Sequence, residues 1–211
     1  MKNLTKRLLI YTLGVIILGL GITMNTKTTL GVSPIISVPF NLAQITGFKI
    51  GIVTSLYYCF LILLQFLLLK GKLPVVQWLQ IAVSFVTGGA IQFFDALVPI
   101  PQTLPAKAVL LIAAIAVTAL GAVIMLDMRL LPNPADGLTT VLGDKLNINL
   151  GLSKNILDFT CLLIALILGL GFSRSLLGVG AGTFVAMVLT GRFFALYRKI
   201  LTPFLNRITA E

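Results

Sequence analysis

The sequence contains no histidine and only two cysteines, and each shortage argues against a class of function. Without histidine the chain lacks the commonest metal ligand and the side chain best suited to moving protons near neutral pH. Cys59 and Cys161 lie far apart in apolar runs, so neither a disulfide framework nor a metal-binding spacing is present. The sequence also lacks a phosphate-binding glycine loop followed by lysine. It therefore predicts that the protein is not an enzyme and needs no metal or cofactor.

Charged residues are also scarce, at 10% of 211 positions against 58% apolar residues. An ordinary soluble domain carries roughly a quarter charged residues. We predict an all-α membrane protein with six transmembrane helices in a single integral membrane domain, residues 1–211. Its six apolar windows approach the roughly 20 residues that a helix needs to cross a bilayer: Leu8–Met24, Ile50–Leu69, Pro74–Leu97, Ala108–Leu126, Leu150–Phe172 and Leu176–Tyr197.

The net charge of +10 comes from 16 basic and 6 acidic residues. In a soluble protein this imbalance would indicate nucleic acid, but here the basic residues lie between apolar runs, where they meet anionic lipid headgroups. With six crossings and both termini in the cytoplasm, only Lys27, Lys49, Lys107 and Arg174 lie outside. That distribution satisfies the positive-inside rule. We expect a multi-pass plasma-membrane protein that contacts the lipid bilayer and binds no nucleic acid.

The chain reads as two related halves on either side of a proline-rich break at residues 99–105. We predict an internal duplication, with repeat one at about residues 7–97 and repeat two at about 107–197. Three crossings per unit would place the units in opposite orientations, the inverted repeat of many transporters. At a constant offset of 100 positions, the matches include Gly21 with Gly121, Pro34 with Pro134, and Gly51 with Gly151.

Each half contains a short helix that opens with a capping residue and a proline, Ser33–Pro34 and Asn133–Pro134. A helix from Pro34 to Thr46 would be only about 20 Å long, short of the roughly 30 Å hydrocarbon core. We expect both short helices to re-enter the membrane without crossing it. Counting them as crossings would give eight spans with a similar charge distribution, so charge leaves six and eight open and length favours six.

The two helix starts suggest a binding site, because each presents unpaired N–H groups and the positive end of a helix dipole. In an inverted repeat these starts would face one another near the midplane. Since Asp136 would oppose an anion, we expect a zwitterion or an amphiphile with a charged head. The candidate substrate-binding residues are Ser33, Asn41, Arg129, Asn133, Asp136 and Thr139.

Several charged residues have two interpretations. Arg129 either belongs to a solvated helix end or faces a polar cavity with Asp127 or Asp136 as its partner. Asp136 also fits a simple role at the start of its own helix. Asp158 follows Lys154 by one helical turn, and a salt bridge at the membrane interface is favoured over a proton relay.

The sequence contains four short motifs that are distributed along its length: Arg7-Leu8…Tyr11…Gly14, Leu30-Gly31-Val32-Ser33-Pro34, Leu131-Pro132-Asn133-Pro134-Ala135-Asp136-Gly137 and Gly178-Val179-Gly180-Ala181-Gly182-Thr183. These motifs resemble the YczE/YitT-type family of bacterial membrane proteins. The resemblance spans essentially the whole chain and implies a polytopic plasma-membrane protein, without transferring a functional residue.

Repeat architecture and helices broken inside the membrane favour a transporter or flippase of a small polar or amphiphilic solute, with its site between the two short re-entrant helices. This inference rests on architecture and leaves two alternatives open. One is a substrate-binding membrane subunit of an energy-coupling-factor-like importer, and the other is a non-transporting scaffold or regulatory protein. The expected partners are a small solute and either a second copy of the chain or another membrane protein.

Overall fold

The computed structural model describes residues 2–210, with side chains placed for residues 4–206, and this part of the chain contains helices and no strand. Five of its helices are long and apolar enough to cross a membrane, so the predicted all-helical, membrane-type architecture is confirmed. The α-helices are α1 (Lys2–Lys27), α2 (Pro34–Thr46), α3 (Ile50–Leu68), α4 (Gln80–Leu97), α5 (Leu104–Asp127), α6 (Pro134–Leu146), α7 (Leu150–Leu168) and α8 (Ala181–Ala210).

Two irregular turns flank these helices. A 3₁₀ turn, Val75–Leu79, leads into α4, and a π-helical turn, Gly169–Ser173, follows α7. The five candidate spans are α1, α3, α4 with its 3₁₀ turn, α5, and α7 with its π-helical turn. Helix α8 is not one of them, and it carries the charged residues Arg192, Arg198 and Lys199 within its length.

The short helices α2 and α6 begin and end as their local sequence predicts. Each has a proline at its first turn, and the Asn133 side chain accepts a hydrogen bond from the backbone N–H of Ala135 at 3.0 Å. The Ser33 side chain makes no such bond. Gly47 and Asn147, both in the left-handed region, end the two helices at equivalent positions. The predicted bounds of α2 are therefore confirmed.

The halves match closely in helix bounds. Helices α2 and α6 start and stop 100 positions apart, as do α3 and α7. Thr29 and Arg129, each just after a long helix, both have a positive φ near 50°. The packing is reciprocal, since α2 lies against α3 and α7 while α6 lies against α7 and α3.

Helices α1 and α5 form the central pair and run in opposite directions. Near one end the Arg7 guanidinium donates to the backbone oxygen of Met128 at 2.6 Å, and near the other Gly21 lies against Thr118. Between them a methyl group at Gly121 would lie 2.7 Å from the backbone oxygen of Gly14. These glycines allow the two backbones to touch, which is how helices associate in lipid.

The first and last residues of helix α2 lie at the same end of the helix bundle. Lys27, the last residue of α1, pairs with Asp95 near the end of α4 at 2.8 Å. Gly51, at the start of α3, packs against Gln92 on the same part of α4. The chain therefore enters α2 and leaves it at one end of the bundle, which we call the α2 end. The opposite end, where Arg7 meets Met128, is the α6 end.

The starts of α2 and α6 do not face one another, in contrast to the expectation from the sequence. The backbone N–H of Ser33 donates to Asn25 at 2.8 Å near the α2 end. The backbone oxygen of Pro134 accepts instead from Gln65, which contacts Gln80. On α4, Ile91 marks the depth of the α2 end, because its backbone oxygen accepts a hydrogen bond from Thr23 of α1. Gln80 lies eleven residues before Ile91, which corresponds to roughly 16 Å along α4. Each start is held by side chains at its own depth, so the two are separated along the bundle.

The halves differ in how their last two helices pack. Helix α3 packs closely along α4, where the Ser55 hydroxyl donates to the backbone oxygen of Ser84 at 3.2 Å and Gly88 allows the close approach. Over the described residues, α7 and α8 have no comparable contact. The position equivalent to Gly88 is Val188, whose exposed branched side chain prevents the same backbone approach.

Candidate functional site

An open groove of about 260 Å³ lies at the α6 end, between α6 and the connection from α3 to α4. Three exposed polar residues of α6, Asp136, Thr140 and Asp144, are spaced four apart and therefore share one helix face. The face runs from the groove toward the start of α6. Six of the residues that line the groove are Lys72, Gln77, Pro132, Gly137, Thr140 and Asp144.

A chain of glutamines links this groove to the first turn of α6. The amide of Gln80 donates to Gln77 at 3.0 Å, and the amide of Gln65 donates to Gln80 at 3.3 Å and to the backbone oxygen of Pro134 at 3.0 Å. Gln65 and Gln80 are fully buried. A methyl group at Gly137 would lie 2.8 Å from the Gln65 side-chain oxygen, so glycine leaves room for this contact. Amide groups therefore replace water along this part of the protein interior.

A buried charged group lies on α7, beyond the start of α6. The Asp158 residue is only 6% exposed, and one of its carboxylate oxygens is 3.6 Å from the Lys154 ammonium. The other oxygen, Oδ1, has no hydrogen-bond partner among the described residues. Asp136 lies close enough to both residues for their charges to interact. The predicted Lys154–Asp158 ion pair is confirmed, and its carboxylate is buried about 12 Å into α7.

Side chains of α3 border the same cluster. The hydroxyl of Tyr57 and the Cys161 sulfur of α7 are 3.3 Å apart, which ties the two helices together. The Tyr58 hydroxyl lies next to the Asn133 side chain and within electrostatic range of Asp136. The start of α6 is thus surrounded by polar atoms from α3 and α7.

The equivalent region at the α2 end is closed by the connection between α7 and α8. The backbone N–H of Val32 donates to Gly178, and that of Gly182 donates to Leu30, both at 2.8 Å. The Asn41 amide donates to the backbone oxygen of Leu177 at 2.7 Å. We call the contact between residues 30–41 and residues 177–182 the α2 seal.

A small cavity lies beside the α2 seal. Its volume is about 20 Å³, enough for about one water molecule, and Asn25, Ser33, Thr118 and Thr190 contribute its polar lining. The Asn25 side-chain amide nitrogen there is buried and has no partner in the described part of the chain.

The predicted site residues fall into three groups. Asn133, Asp136 and Thr139 lie together on α6, with Thr139 buried and its backbone oxygen bonded to Ser153. Ser33 and Asn41 lie at the α2 end, in the small cavity and in the α2 seal respectively. The structure therefore does not bring the six together into one site.

Arg129 forms the third group. Its side chain is exposed, and neither Asp127 nor Asp136 forms an ion pair with it. The Asp127 carboxylate instead accepts a hydrogen bond from Thr202 of α8 at 2.7 Å. Of the two interpretations from the sequence, the structure agrees with the exposed helix end.

Sequence reasoning missed the glutamines and underestimated Asp158. Polar residues inside apolar runs are costly in a membrane and usually face a cavity or a polar partner. Gln65, Gln80 and Asp158 all lie in such runs, so this signal was present. Residues 4–206 contain no group of three or more potential metal ligands from His, Cys, Asp and Glu. The cluster at the start of α6 contains side chains of both charge signs.

A family model described as a family of unknown function, DUF6198, matches residues 5–199. The chain belongs to this family, which covers nearly its whole length. Comparison with curated proteins and with solved structures gave no significant match.

Proposed function

We propose that the protein is a transporter or flippase for a small polar or amphiphilic solute, built from six crossings in two inverted three-helix units. The antiparallel contact of α1 with α5 and the matching bounds of α2 and α6 support this arrangement. Because α2 enters and leaves at one end, it is a re-entrant segment, and by the repeat so is α6. The sixth crossing is then α8.

The observation that carries the proposal is the difference between the two ends. Equivalent segments form the tight α2 seal at one end and the open groove at the other. A carrier must expose its site to one side at a time, and inverted repeats allow this because one unit can adopt the arrangement of the other. A packed scaffold has no need for one open and one closed end.

The substrate site in this proposal lies at the start of α6, next to the groove. A solute would pass Asp144 and Thr140, which line the groove, and follow the same face of α6 to Asp136. The buried residues Asn133 and Asp158 lie nearby. Ser33 and Asn41 act in closing the other end. The sequence alone predicted a site midway between the starts of α2 and α6. The present proposal places the site at the start of α6 instead.

The groove faces the cytoplasm in this proposal, with both termini on that side. The basic side chains at the α6 end include Arg7, Lys70, Lys72 and Arg129, whereas Lys27 and Lys49 lie at the α2 end. The excess of basic residues at the α6 end fits the positive-inside rule. The YczE/YitT-type resemblance, which also remains a proposal, implies the same plasma-membrane location.

Cysteine accessibility tests this function directly. In a variant with Cys59→Ala and Cys161→Ala, single cysteines replace Thr140 in the groove and Phe40, its equivalent in the α2 seal. A membrane-impermeant maleimide should label Thr140→Cys rapidly from the cytoplasmic side and leave Phe40→Cys almost unlabelled from the outside. Crosslinking a Gln77→Cys, Thr140→Cys pair with a short bismaleimide should then make Phe40→Cys reactive from the outside.

The carrier would be contradicted by labelling of Phe40→Cys that stays unchanged after the groove is crosslinked, since a scaffold has no second state. Labelling of Thr140→Cys from the outside would contradict the cytoplasmic orientation of the groove. A matched control places the cysteine at Gln44, an exposed residue of α2 outside the α2 seal, whose labelling should not respond to the crosslink.

A further inference from the structure

We infer that the cluster of Asp136, Lys154 and Asp158 binds an ammonium group, so that the solute carried is a small organic amine. The inference rests on the proposed function, whose site it refines. It names Asp158, absent from the residues predicted by sequence, as the group that contacts the solute.

The charges of the cluster are unequal. The Lys154 ammonium lies 3.6 Å from the Asp158 carboxylate, and the exposed Asp136 carboxylate is near enough to interact with both charges without forming an ion pair. The other titratable groups facing them are the Tyr57 and Tyr58 hydroxyls and the Cys161 thiol. The cluster therefore has one more acidic than basic side chain, and one additional positive charge would balance it.

The unpaired Oδ1 atom of Asp158 is the atom that this additional positive charge would contact. The Asp158 residue is only 6% exposed, and its Oδ1 atom has no hydrogen-bond partner among the described residues. A buried polar oxygen without a hydrogen bond is destabilising. The Lys154 contact at 3.6 Å is also longer than the roughly 2.8 Å of a good charge-assisted hydrogen bond. An ammonium group donates N–H bonds to this oxygen and completes the pairing.

The surroundings favour an organic amine over a metal ion. A hard cation such as Ca²⁺ or Mg²⁺ takes about six or more oxygen ligands, whereas residues 4–206 contain no group of even three His, Cys, Asp or Glu side chains that could hold a metal ion. Tyrosine rings, in contrast, attract organic ammonium groups, and Tyr57 and Tyr58 border the cluster. The groove of about 260 Å³ is smaller than the roughly 300 to 1,000 Å³ of pockets for drug-sized ligands. The solute should therefore be small.

Thermal unfolding of the purified full-length protein tests this inference. The probes are methylammonium, ethylammonium and tetramethylammonium chloride, with sodium and potassium chloride at equal ionic strength. We expect at least one amine to raise the melting temperature in a saturable way, and neither metal salt to do so. Asp158→Asn should weaken the binding of that amine by about tenfold or more, and Asp158→Glu should retain most of the affinity because it keeps the charge.

Two further variants separate this role from a structural one. Lys154→Ala removes the competing ammonium and should strengthen amine binding several-fold, which loss of folding could not do. Asp95→Asn, an equal charge change at the α2 end, should leave the affinity unchanged. A shift produced by sodium or potassium alone, an amine shift that persists in Asp158→Asn, or no shift by any amine would overturn the inference. The cysteine-labelling result does not depend on these outcomes, so the carrier proposal stands or fails separately.

Discussion

The two ends of the bundle are built from equivalent segments and yet differ in closure. At the α2 end, Asn41 bonds to Leu177 and Gly178 lies against Phe40. At the α6 end the equivalents of Asn41 and Gly178 are Val141 and Trp78, which cannot form these contacts. The comparison shows that the repeated residues define the architecture, while the residues that are not repeated determine which end is closed.

The outer helices extend the same comparison. Lys27 of α1 pairs with Asp95 of α4, whereas the equivalent residue of α5, Asp127, bonds to Thr202 of α8. Thr202 corresponds to Gln102 of the first half, beyond the end of α4, so α8 is displaced along its partner relative to α4. Where α4 packs on α3, α8 is separated from α7. The second half is the looser one, and rearrangement between two states would require this freedom.

The largest effect should come from a side chain in the α2 seal. A methyl group at Gly180 would lie 2.5 Å from the backbone oxygen of Leu30, which cannot move without breaking its bond to Gly182. Gly180→Ala should therefore lower the free energy of unfolding by about 2 to 3 kcal/mol. Thermal unfolding in detergent measures this loss.

The matched control is Gly171→Ala, because no atom lies within 4 Å of the added methyl group. Its effect should stay within about 0.5 kcal/mol. Equal melting temperatures for the two variants would show that the α2 seal is loose in solution, and the contrast between the ends would then disappear.

The second-largest effect is expected when a polar contact that is present only at the α2 end is removed. Asn41→Val introduces the residue found at position 141 and removes the hydrogen bonds to Ser37 and Leu177. Because the Leu177 oxygen then loses this partner, we expect a loss of about 1 to 3 kcal/mol. Maleimide labelling of a Leu177→Cys reporter should also become faster. Thr46→Val, on the exposed end of the same helix, is the control and should change neither quantity.

The membrane class and the bounds of α2 could be predicted from the sequence because they depend on local signals. Apolar length identifies the spans, and Ser33–Pro34 and Gly47 mark a helix start and stop. The α2 seal could not be predicted, since its bonds join residues such as Asn41 and Leu177 that are far apart in the chain. The ion pair of Asp158 with Lys154 could be predicted from their spacing. The burial of Asp158 could not, because its neighbours Tyr57 and Asp136 come from distant parts of the chain.

A smaller effect is expected at the open end. Gln65→Leu removes the bonds to Gln80 and to the backbone oxygen of Pro134. Since the groove allows water to reach part of this region, the expected loss is about 1 kcal/mol. Hydrogen exchange should accelerate in the first two turns of α6 and not in α2. Gln44→Leu on α2 is the control, because its side chain is exposed. Unchanged exchange in α6 would mean that the glutamine chain does not hold this helix.

The smallest effect concerns the contacts between outer and central helices. The Lys27–Asp95 pair is partly exposed, with side-chain exposures of 17% and 33%. Its coupling energy in a double-mutant cycle with Lys27→Met and Asp95→Asn should therefore be only about 0.2 to 1 kcal/mol.

Salt dependence then distinguishes this contact from its counterpart in the second half. Raising the salt from about 0.01 M to about 0.15 M shortens the screening length from about 30 Å to about 8 Å, so the Lys27–Asp95 coupling should fall. Asp127 bonds to the neutral hydroxyl of Thr202, and a cycle with Asp127→Asn and Thr202→Val should respond less to salt. Equal salt dependence in both cycles would show that a charged partner of Asp127 replaces Thr202 in solution. Helix α8 would then lie on α5 in a different register, closer to that of α4 on α1.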